Sequence, residues 1–511
     1  MAARRVLNRL LQALRSLRGW RRDAAAAGLG ALAAAALPPV HAIPVLLISL
    51  PGLLLMLAEA RSWRHGARIG FAFGLGHHLF GLYWITEAVL IEAARFWWLV
   101  PLAVPAIAAI LACFIALPCA LAMRRPPGAA RALVLCGTWV LADLLRQVFA
   151  TGFPWNPLGS VWALPNDIGT LLLQPAAIIG VHGLTLATLL LAVTPTLGRR
   201  AMAAGLAALL LWGGFGSWRL SQPAAPAPGL SVVLVQGNVP QGEDWSREFA
   251  VGVFRRYLDL TRAAVAAAGN TPTIVLWPET AFYPFLLEHD PGARAAIYDA
   301  AAGPALIGGM RVTPDGRPLN SLMAVVGPGP ITAAYDKWHL VPFGEYAPSW
   351  MPLQIMLGMG SGFAAGSGPK TLHVPGLPPV GVLICYEAIF PGQIVDAADR
   401  PDWLANVTND AWFGDSTGPR QHLAAARLRA IEEGLPLLRA ANTGITAGFD
   451  AFGRELGRLD LNTQGHLILP LPGPLPPTPF ARFGRLIPAA LAFACLCLGA
   501  ASRRKRLQIH F

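Results

Sequence analysis

The stretch Gly381-Val382-Leu383-Ile384-Cys385-Tyr386-Glu387 decides how this chain is read. Its first half is a short apolar run of the kind that forms a strand buried on both faces, and Cys385 stands where that run ends. Buried strands belong to layered α/β domains, which present chemistry at strand ends. Taken alone the thiol reads in two ways. It is a nucleophile if a base stands near it, or a small buried hydrophobe if none does. Outward from this run, strands at 230–235, 273–276, 305–307, 321–326 and 404–408 alternate with helical patterns at 247–268, 293–301, 391–398 and 421–434. That alternation predicts an α/β domain. Pro-rich stretches at 223–228 and 470–479 flank it, and the second reads as a tether to the apolar run that follows.

The composition places the rest in a membrane. Of 511 residues, 54% are hydrophobic and 13% charged, against roughly 25% charged in soluble domains. A net charge of +12 would also fit nucleic acid. The arginines, however, cluster in short segments beside apolar runs, without aromatic interleaving, so the positive-inside rule accounts for them and no nucleic-acid partner is expected. Residues 1–22 hold seven arginines and no acid. With Val40-His41-Ala42 or Arg21-Arg22 they have elements of a secretory signal, but the basic region is too long for one and a second apolar run follows at once. Basic segments at 61–68, 124–131 and 199–200 separate apolar runs at 24–39, 43–58, 69–92, 97–122, 131–149, 167–197 and 201–219, and a last run, 485–501, precedes a basic end. Eight transmembrane helices are therefore expected, with both termini cytoplasmic. The corresponding divisions are a basic N-terminus 1–22, helices 23–220, an extracytoplasmic domain 221–475, a linker and last helix 476–502, and a tail 503–511. Cys113, Cys119, Cys136, Cys495 and Cys497 lie in apolar runs, which leaves Cys385 with no soluble disulfide partner.

Three strand ends carry the chemistry. Trp277-Pro278-Glu279 closes one buried strand, the segment from Tyr335 through Lys337 to Glu345 follows another, and Cys385-Tyr386-Glu387 closes a third. A thiol with a pKa of about 8.5 needs a base to attack at neutral pH. A cation can then stabilise the oxyanion that forms. A carboxylate, an amine and a thiol in this order resemble the Glu-Lys-Cys triad of the nitrilase superfamily. The spans extend the likeness, as do Thr151-Gly152-Phe153-Pro154-Trp155, Val235-Gln236-Gly237-Asn238 with Trp245, and Thr408-Asn409-Asp410-Ala411-Trp412-Phe413-Gly414. With these, the whole chain resembles the apolipoprotein N-acyltransferase family.

The resemblance implies a multi-span α-helical membrane domain joined to a nitrilase-like αββα sandwich. It implies Glu279 as general base, Lys337 as oxyanion stabiliser and Cys385 as nucleophile, supported by Glu345, Tyr386, Glu387 and Trp245; the plainer readings are that Glu345 and Glu387 only orient Lys337 through ion pairs and that Trp245 fills core or interface. The donor would be a membrane phospholipid and the acceptor a diacylglyceryl-modified apolipoprotein. The setting would be the bacterial inner membrane, with the catalytic domain periplasmic and the chain monomeric. No metal or other cofactor is expected, since no P-loop, GxGxxG fingerprint or metal-ligand cluster is present. A membrane-tethered amidase and a non-enzymatic transporter or scaffold are the rival readings.

Candidates for lipid access are the Met-rich segment 351–368 with Met356 and Met359, the Trp412-Phe413 pair, and Trp155 in the outer loop 153–162. Arg146 is a fourth, as a phosphate ligand. For three of them a plainer reading stands beside the functional one: core filling for the methionines, an interfacial aromatic belt for Trp155, and neutralisation by Asp143 for Arg146. His77 and His78 lack metal-ligand spacing and read as residues for packing or for interhelical hydrogen bonds.

Overall fold

The computed structural model describes residues 16–91, 93–241, 245–349 and 362–502. Met351, Met356 and Met359 lie outside the described residues. Each of the eight apolar runs holds a helix. They are α1 (Gly19–Ala34), α2 (Leu46–Ala58), α3 (Trp63–Gly81), α4 (Val100–Ala122), α5 (Ala129–Arg146), α6 (Ala176–Val193), α7 (Arg199–Leu220) and a last helix, Leu486–Ala501. Among the described residues three helical stretches are long and apolar enough to cross a membrane: Ala93–Ala122, Ala176–Leu197 and Arg199–Leu220. Ile43–Ala58 and Leu486–Ala501 are apolar but shorter.

Two runs are broken where one helix is expected. The run 69–92 stops at Gly81, where Leu82 leaves helical geometry (φ −126°, ψ 13°), and continues as the short helices Ile85–Ile91 and Ala93–Phe96. In 167–197, Asp167–Leu173 ends before Pro175, whose ring and missing N–H oppose continuation. Gly180 (φ +64°) then kinks α6. Close packing in this unit rests on small residues, as expected where lipid removes the hydrophobic drive between helices. Gly66, Gly70 and Gly74 of α3 meet Met123, Cys119 and Ala112, so that the last turns of α4 lie nearly backbone to backbone against it.

The chain forms two compact units. One comprises the described residues up to Thr86, Trp98–Leu220 and the described residues from Phe483 onward; the other comprises Glu87–Trp97 and Ser221–Arg482, less the undescribed positions. In the second unit, successive side chains of each strand point to opposite faces and enter two different cores. Within β1 (Ser231–Gln236), Val232 and Leu234 enter one core while Val233 and Val235 enter another. β2 (Thr273–Leu276), β3 (Ala305–Val312), β4 (Pro318–Val325) and β5 (Ala334–Asp336) continue that sheet, and β12 (Gly465–Pro470) pairs antiparallel with β1 at its other edge. The second sheet runs β11 (Glu455–Leu459), β10 (Thr446–Phe449), β9 (Leu437–Ala441), β8 (Trp403–Thr408), β7 (Val380–Ile384) and β6 (Thr371–Leu372).

The two sheets bury a shared core that includes Leu234, Leu276, Leu322, Val382, Trp403 and Leu438. α8 (Arg247–Ala268) and α9 (Pro291–Ala301) cover the outer face of the first sheet through Tyr257 and Ile297. α10 (Gly418–Glu433) covers the second through Leu423, Ala426 and Ala430. The order of layers is therefore α, β, β, α. The expected helix at 391–398 does not form: Pro391 and Gly392 (φ +70°) turn the chain, and the segment is a series of bends. Nor is 470–479 a free tether. Leu471 and Leu475 are buried, the Ala225 N–H donates to the Pro474 carbonyl (3.0 Å) and the Leu475 N–H to the Gly434 carbonyl (2.9 Å).

Candidate active site

β2, β5 and β7 each deliver one chemically active residue just past their ends: Glu279, Lys337 and Cys385. Glu279 is carried in by a close backbone approach, since a Cβ on Gly308 of β3 would collide with the Pro278 carbonyl. Its Oε1 accepts from Asn320 Nδ2 (2.7 Å) and Lys337 Nζ (3.3 Å), and its Oε2 from the backbone N–H of Asn409 (2.7 Å). Lys337 is 1% exposed and donates a second, shorter bond to Glu345 Oε1 (2.8 Å). Glu345 is held in turn by Asn320 Nδ2 (3.1 Å) and the Val341 N–H (2.7 Å). One buried ammonium thus sits between two anchored carboxylates. Burial alone would lower the lysine pKa, but Glu345 and Glu279 outweigh it and hold the ammonium well above its ordinary range.

Cys385 opens a short 3₁₀ turn, Cys385–Ile389, in a left-handed conformation (φ +49°) rare for a side-chain-bearing residue. The thiol is buried. Burial pushes it up, the Glu279 charge adds to that, and Lys337 pulls the other way without prevailing. Burial and the Glu279 charge thus both favour the thiol over the thiolate.

The supporting residues divide. Glu345 pairs with Lys337 as expected. Glu387 does not: its carboxylate accepts from the N–H groups of Trp338 (2.9 Å), His339 (3.3 Å) and Ile384 (2.8 Å) and from Tyr335 Oη (3.0 Å to each oxygen), fastening the loop after β5 to the Cys385 turn. Burial raises its pKa to about 7 against those donors. Tyr386 is buried against Phe390 and His339, and burial raises its phenol. Trp245 packs its ring edge-on against Phe249 and Tyr283, on the outer side of the first sheet.

Of the lipid-access candidates, Trp412 and Phe413 are half-buried beyond β8, and the Phe413 ring meets His422 edge-on (5.8 Å). Trp155 is not on an open loop. It is 3% exposed, stacked on Phe153 and tilted against Trp84, because the helical unit closes over it. Arg146 is buried and paired with Asp143 at 3.3 Å.

Two groups escaped the sequence reading. Asn320 holds both carboxylates, and a polar Asn320-Ser321 pair inside an otherwise apolar strand was the available signal. The second group is the buried set Asp410, His422 and Arg439 behind Cys385. Cys385 Sγ, an Asp410 oxygen and a His422 nitrogen lie within 4.8 Å of one another. Those atoms do not make a metal centre, because Asp410 is ion-paired to Arg439 (2.6 Å) and the two histidine nitrogens face Asp410 Oδ1 and the Cys385 carbonyl (2.9 Å each). Burial would raise Asp410, but Arg439 and His422 prevail and hold its carboxyl well below the usual range.

Two stacked sheets between helices, with carboxylate, ammonium and thiol at neighbouring strand ends, define an α/β domain of the nitrilase type, and residues 235–472 match the carbon-nitrogen hydrolase family. Residues 29–194 match the apolipoprotein N-acyltransferase N-terminal domain. The apolipoprotein N-acyltransferase of Rhodopseudomonas palustris is 38% identical over 98% of this chain and 98% of its own, and that of Bradyrhizobium diazoefficiens is 39% identical over 95% and 96%. The chain belongs to the apolipoprotein N-acyltransferase family, and so to the acyltransferases of the nitrilase superfamily.

Proposed function

We propose that this protein transfers an acyl chain from a membrane phospholipid to the α-amino group of the N-terminal diacylglyceryl-cysteine of a lipoprotein, through a thioester on Cys385. One observation carries the reading. The buried Lys337, fixed between Glu279 and Glu345 beside the Cys385 turn, occurs in a chain whose helical half matches the acyltransferase family.

In the first half-reaction Cys385 Sγ attacks the ester carbonyl as its proton passes to Glu279. The raised thiol pKa makes this transfer concurrent with attack, without a resting thiolate. The oxyanion develops beside Lys337 and the Tyr386 N–H, and the fixed ammonium stabilises it with little reorganisation. Collapse breaks the ester C–O bond, and Glu279 returns the proton to the departing lysophospholipid oxygen. In the second half the neutral amine attacks the thioester carbonyl and loses a proton to Glu279. The C–S bond then breaks, and Cys385 regains its proton as the amide leaves.

The eight helices are read as transmembrane, with basic segments cytoplasmic and the sandwich on the periplasmic face of the bacterial inner membrane. The protein acts as a monomer. Trp412, Phe413 and the segment 351–368 with Met356 and Met359 supply the apolar route for an acyl chain, whose exposure to water would cost about 0.8 kcal/mol per CH₂.

The test is acyl-enzyme trapping. Full-length protein in phospholipid vesicles, without acceptor, should accumulate a hydroxylamine-labile acyl group on the Cys385 peptide, read by mass spectrometry. Equal labelling of Cys385→Ala would remove Cys385 from the role.

A further inference from the structure

We infer that His422 is a positioning residue for this reaction: its Nε2–H grips the Cys385 carbonyl and so sets both the thiol and the oxyanion-facing N–H of the next residue. The inference rests on Cys385 being the nucleophile. His422 lies on α10, fully buried, with Nε2 2.9 Å from the Cys385 carbonyl oxygen and Nδ1 2.9 Å from Asp410 Oδ1. A carbonyl only accepts, so Nε2 carries a proton. Nδ1 faces both an acceptor, Asp410 Oδ1, and a donor, Arg439 Nη2, so the proton that the geometry fixes is the one on Nε2.

The ring's other side is built to keep it there. Arg439 Nη2 bonds Asp410 Oδ2 (2.6 Å) and stands 3.3 Å from His422 Nδ1, while its Nη1 bonds Asn406 Oδ1 (2.6 Å). Asn406 Nδ2 in turn holds the Leu383 carbonyl (3.0 Å), two residues before the nucleophile. Thr408 Oγ1 donates to Asp410 Oδ1 (3.0 Å), and a Cβ on Gly444 would strike the Asp410 carboxylate. The framework runs from β8 and β9 through His422 to a single backbone oxygen.

That oxygen matters because of peptide geometry. The Cys385–Tyr386 peptide is a trans plane, so its C=O and the Tyr386 N–H point in opposite directions. Holding the oxygen toward His422 aims the N–H away from it, toward the side where the oxyanion forms. The same bond resists relaxation of Cys385 out of its left-handed conformation (φ +49°), which the L-side chain otherwise disfavours. Loss of the bond should act on the transition state and leave ground-state lipid binding nearly alone.

Two substitutions separate this role from mere packing. In His422→Gln the amide reaches as far as Nε2 and can still donate to the carbonyl; in His422→Asn it reaches only as far as Nδ1, keeping Asp410 and losing the carbonyl. With full-length protein in phospholipid vesicles and a lipopeptide acceptor, H422Q should keep at least about a tenth of wild-type kcat. H422N should lose about 100-fold in kcat with KM changed less than about threefold. The Cys385 peptide of H422N should also be alkylated by iodoacetamide more slowly at every pH. Equal kcat in the two variants, or a loss in H422N confined to KM, overturns the assignment. If H422N does not fold, H422Q decides alone, since a 100-fold loss there sinks it. A failure of the Cys385 nucleophile itself would show earlier, as absence of the trapped acyl group in wild-type protein.

Discussion

Lys337 and Arg146 are both buried cations, 1% and 4% exposed, yet they are held in opposite ways. Lys337 donates to two carboxylates, each fastened by further donors from Asn320, Asn409 and Val341. Arg146 touches Asp143 once, one helical turn away at 3.3 Å, and its Nε has no hydrogen-bond partner among the described residues. The lysine is fixed at the place where charge is proposed to develop, which is how a site avoids reorganising during reaction. The arginine is merely neutralised. A buried charge in this family member therefore marks chemistry only where its counter-charges are themselves held.

The largest effect expected from this contrast is at Lys337. Lys337→Met should slow acylation of Cys385 by about 10²–10³, measured as single-turnover thioester formation. Phospholipid binding should change far less. An intact acylation rate with weakened binding would make Lys337 a headgroup ligand, and its anchoring would lose its catalytic meaning.

Glu279 sharpens the point because its two effects on Cys385 oppose one another. Its charge raises the thiol, yet it is the proposed acceptor of the thiol proton. Glu279→Gln should move the pH midpoint for iodoacetamide alkylation of Cys385 downward while acyl transfer falls by about 10² or more. An upward shift would mean that Glu279 does not face the thiol.

Gly308→Ala probes the approach that carries Glu279. The added methyl must displace the Pro278 carbonyl, and a shift of the base by a fraction of an ångström should reduce kcat by about 10- to 100-fold. Unchanged kcat with an unchanged melting temperature would show that the backbone gives way without moving the carboxylate.

Of the strands that carry Glu279, Lys337 and Cys385, β2 and β7 were legible as unbroken apolar runs, whereas β5, only Ala334–Asp336, is too short to stand out. β9 was not, since Arg439 stands in the middle of Leu437–Ala441 and a charge inside a short run conceals a buried strand until its partners Asp410 and Asn406 are known. β11 and β12 are only half-buried and lack a clear apolar run. Asn320 and His422 stayed hidden for a related reason: what sets them apart is their bonds to Glu345 and to the Cys385 carbonyl, 25 and 37 residues away. In the helical half, hydropathy located the helices but not their breaks after Gly81 and before Ala176. It also left Trp155 looking exposed, because burial against Trp84 and Phe153 is a property of packing that a single loop does not show.

Glu387 tests whether anchoring matters where no cation is involved. Its two oxygens accept from three backbone N–H groups and Tyr335, so Glu387→Gln would turn an NH₂ toward at least one N–H. The expected loss is about 1–3 kcal/mol of stability. The pH dependence gives a second reading. The folded carboxyl is raised to about 7 from an ordinary 4.5, so the folded state binds this proton more tightly than the unfolded one. That contribution is fully present below about 4.5 and is lost as pH rises through about 7. Wild-type stability should fall across this window, and the E387Q variant should lack that component. Parallel pH profiles for the two proteins would place the titration elsewhere.

The smallest effect is expected at the arginine of the opening contrast. A double-mutant cycle on Asp143→Asn and Arg146→Gln, followed by thermal unfolding in a fixed detergent, should give a coupling of only about 0.5–1 kcal/mol, because the pair makes one long contact within one helix. The same cycle on Lys337→Met and Glu345→Gln should give several times more, since removing Lys337 leaves two buried carboxylates, Glu279 and Glu345, without the cation between them, at a cost of about 3–5 kcal/mol. The ratio is the informative quantity, as it compares two buried pairs in one chain under one condition. A coupling at Asp143–Arg146 as large as that at Lys337–Glu345 would show that the single contact understates how firmly the arginine is held. The distinction between a fixed charge and a merely neutralised one would then fail for this protein.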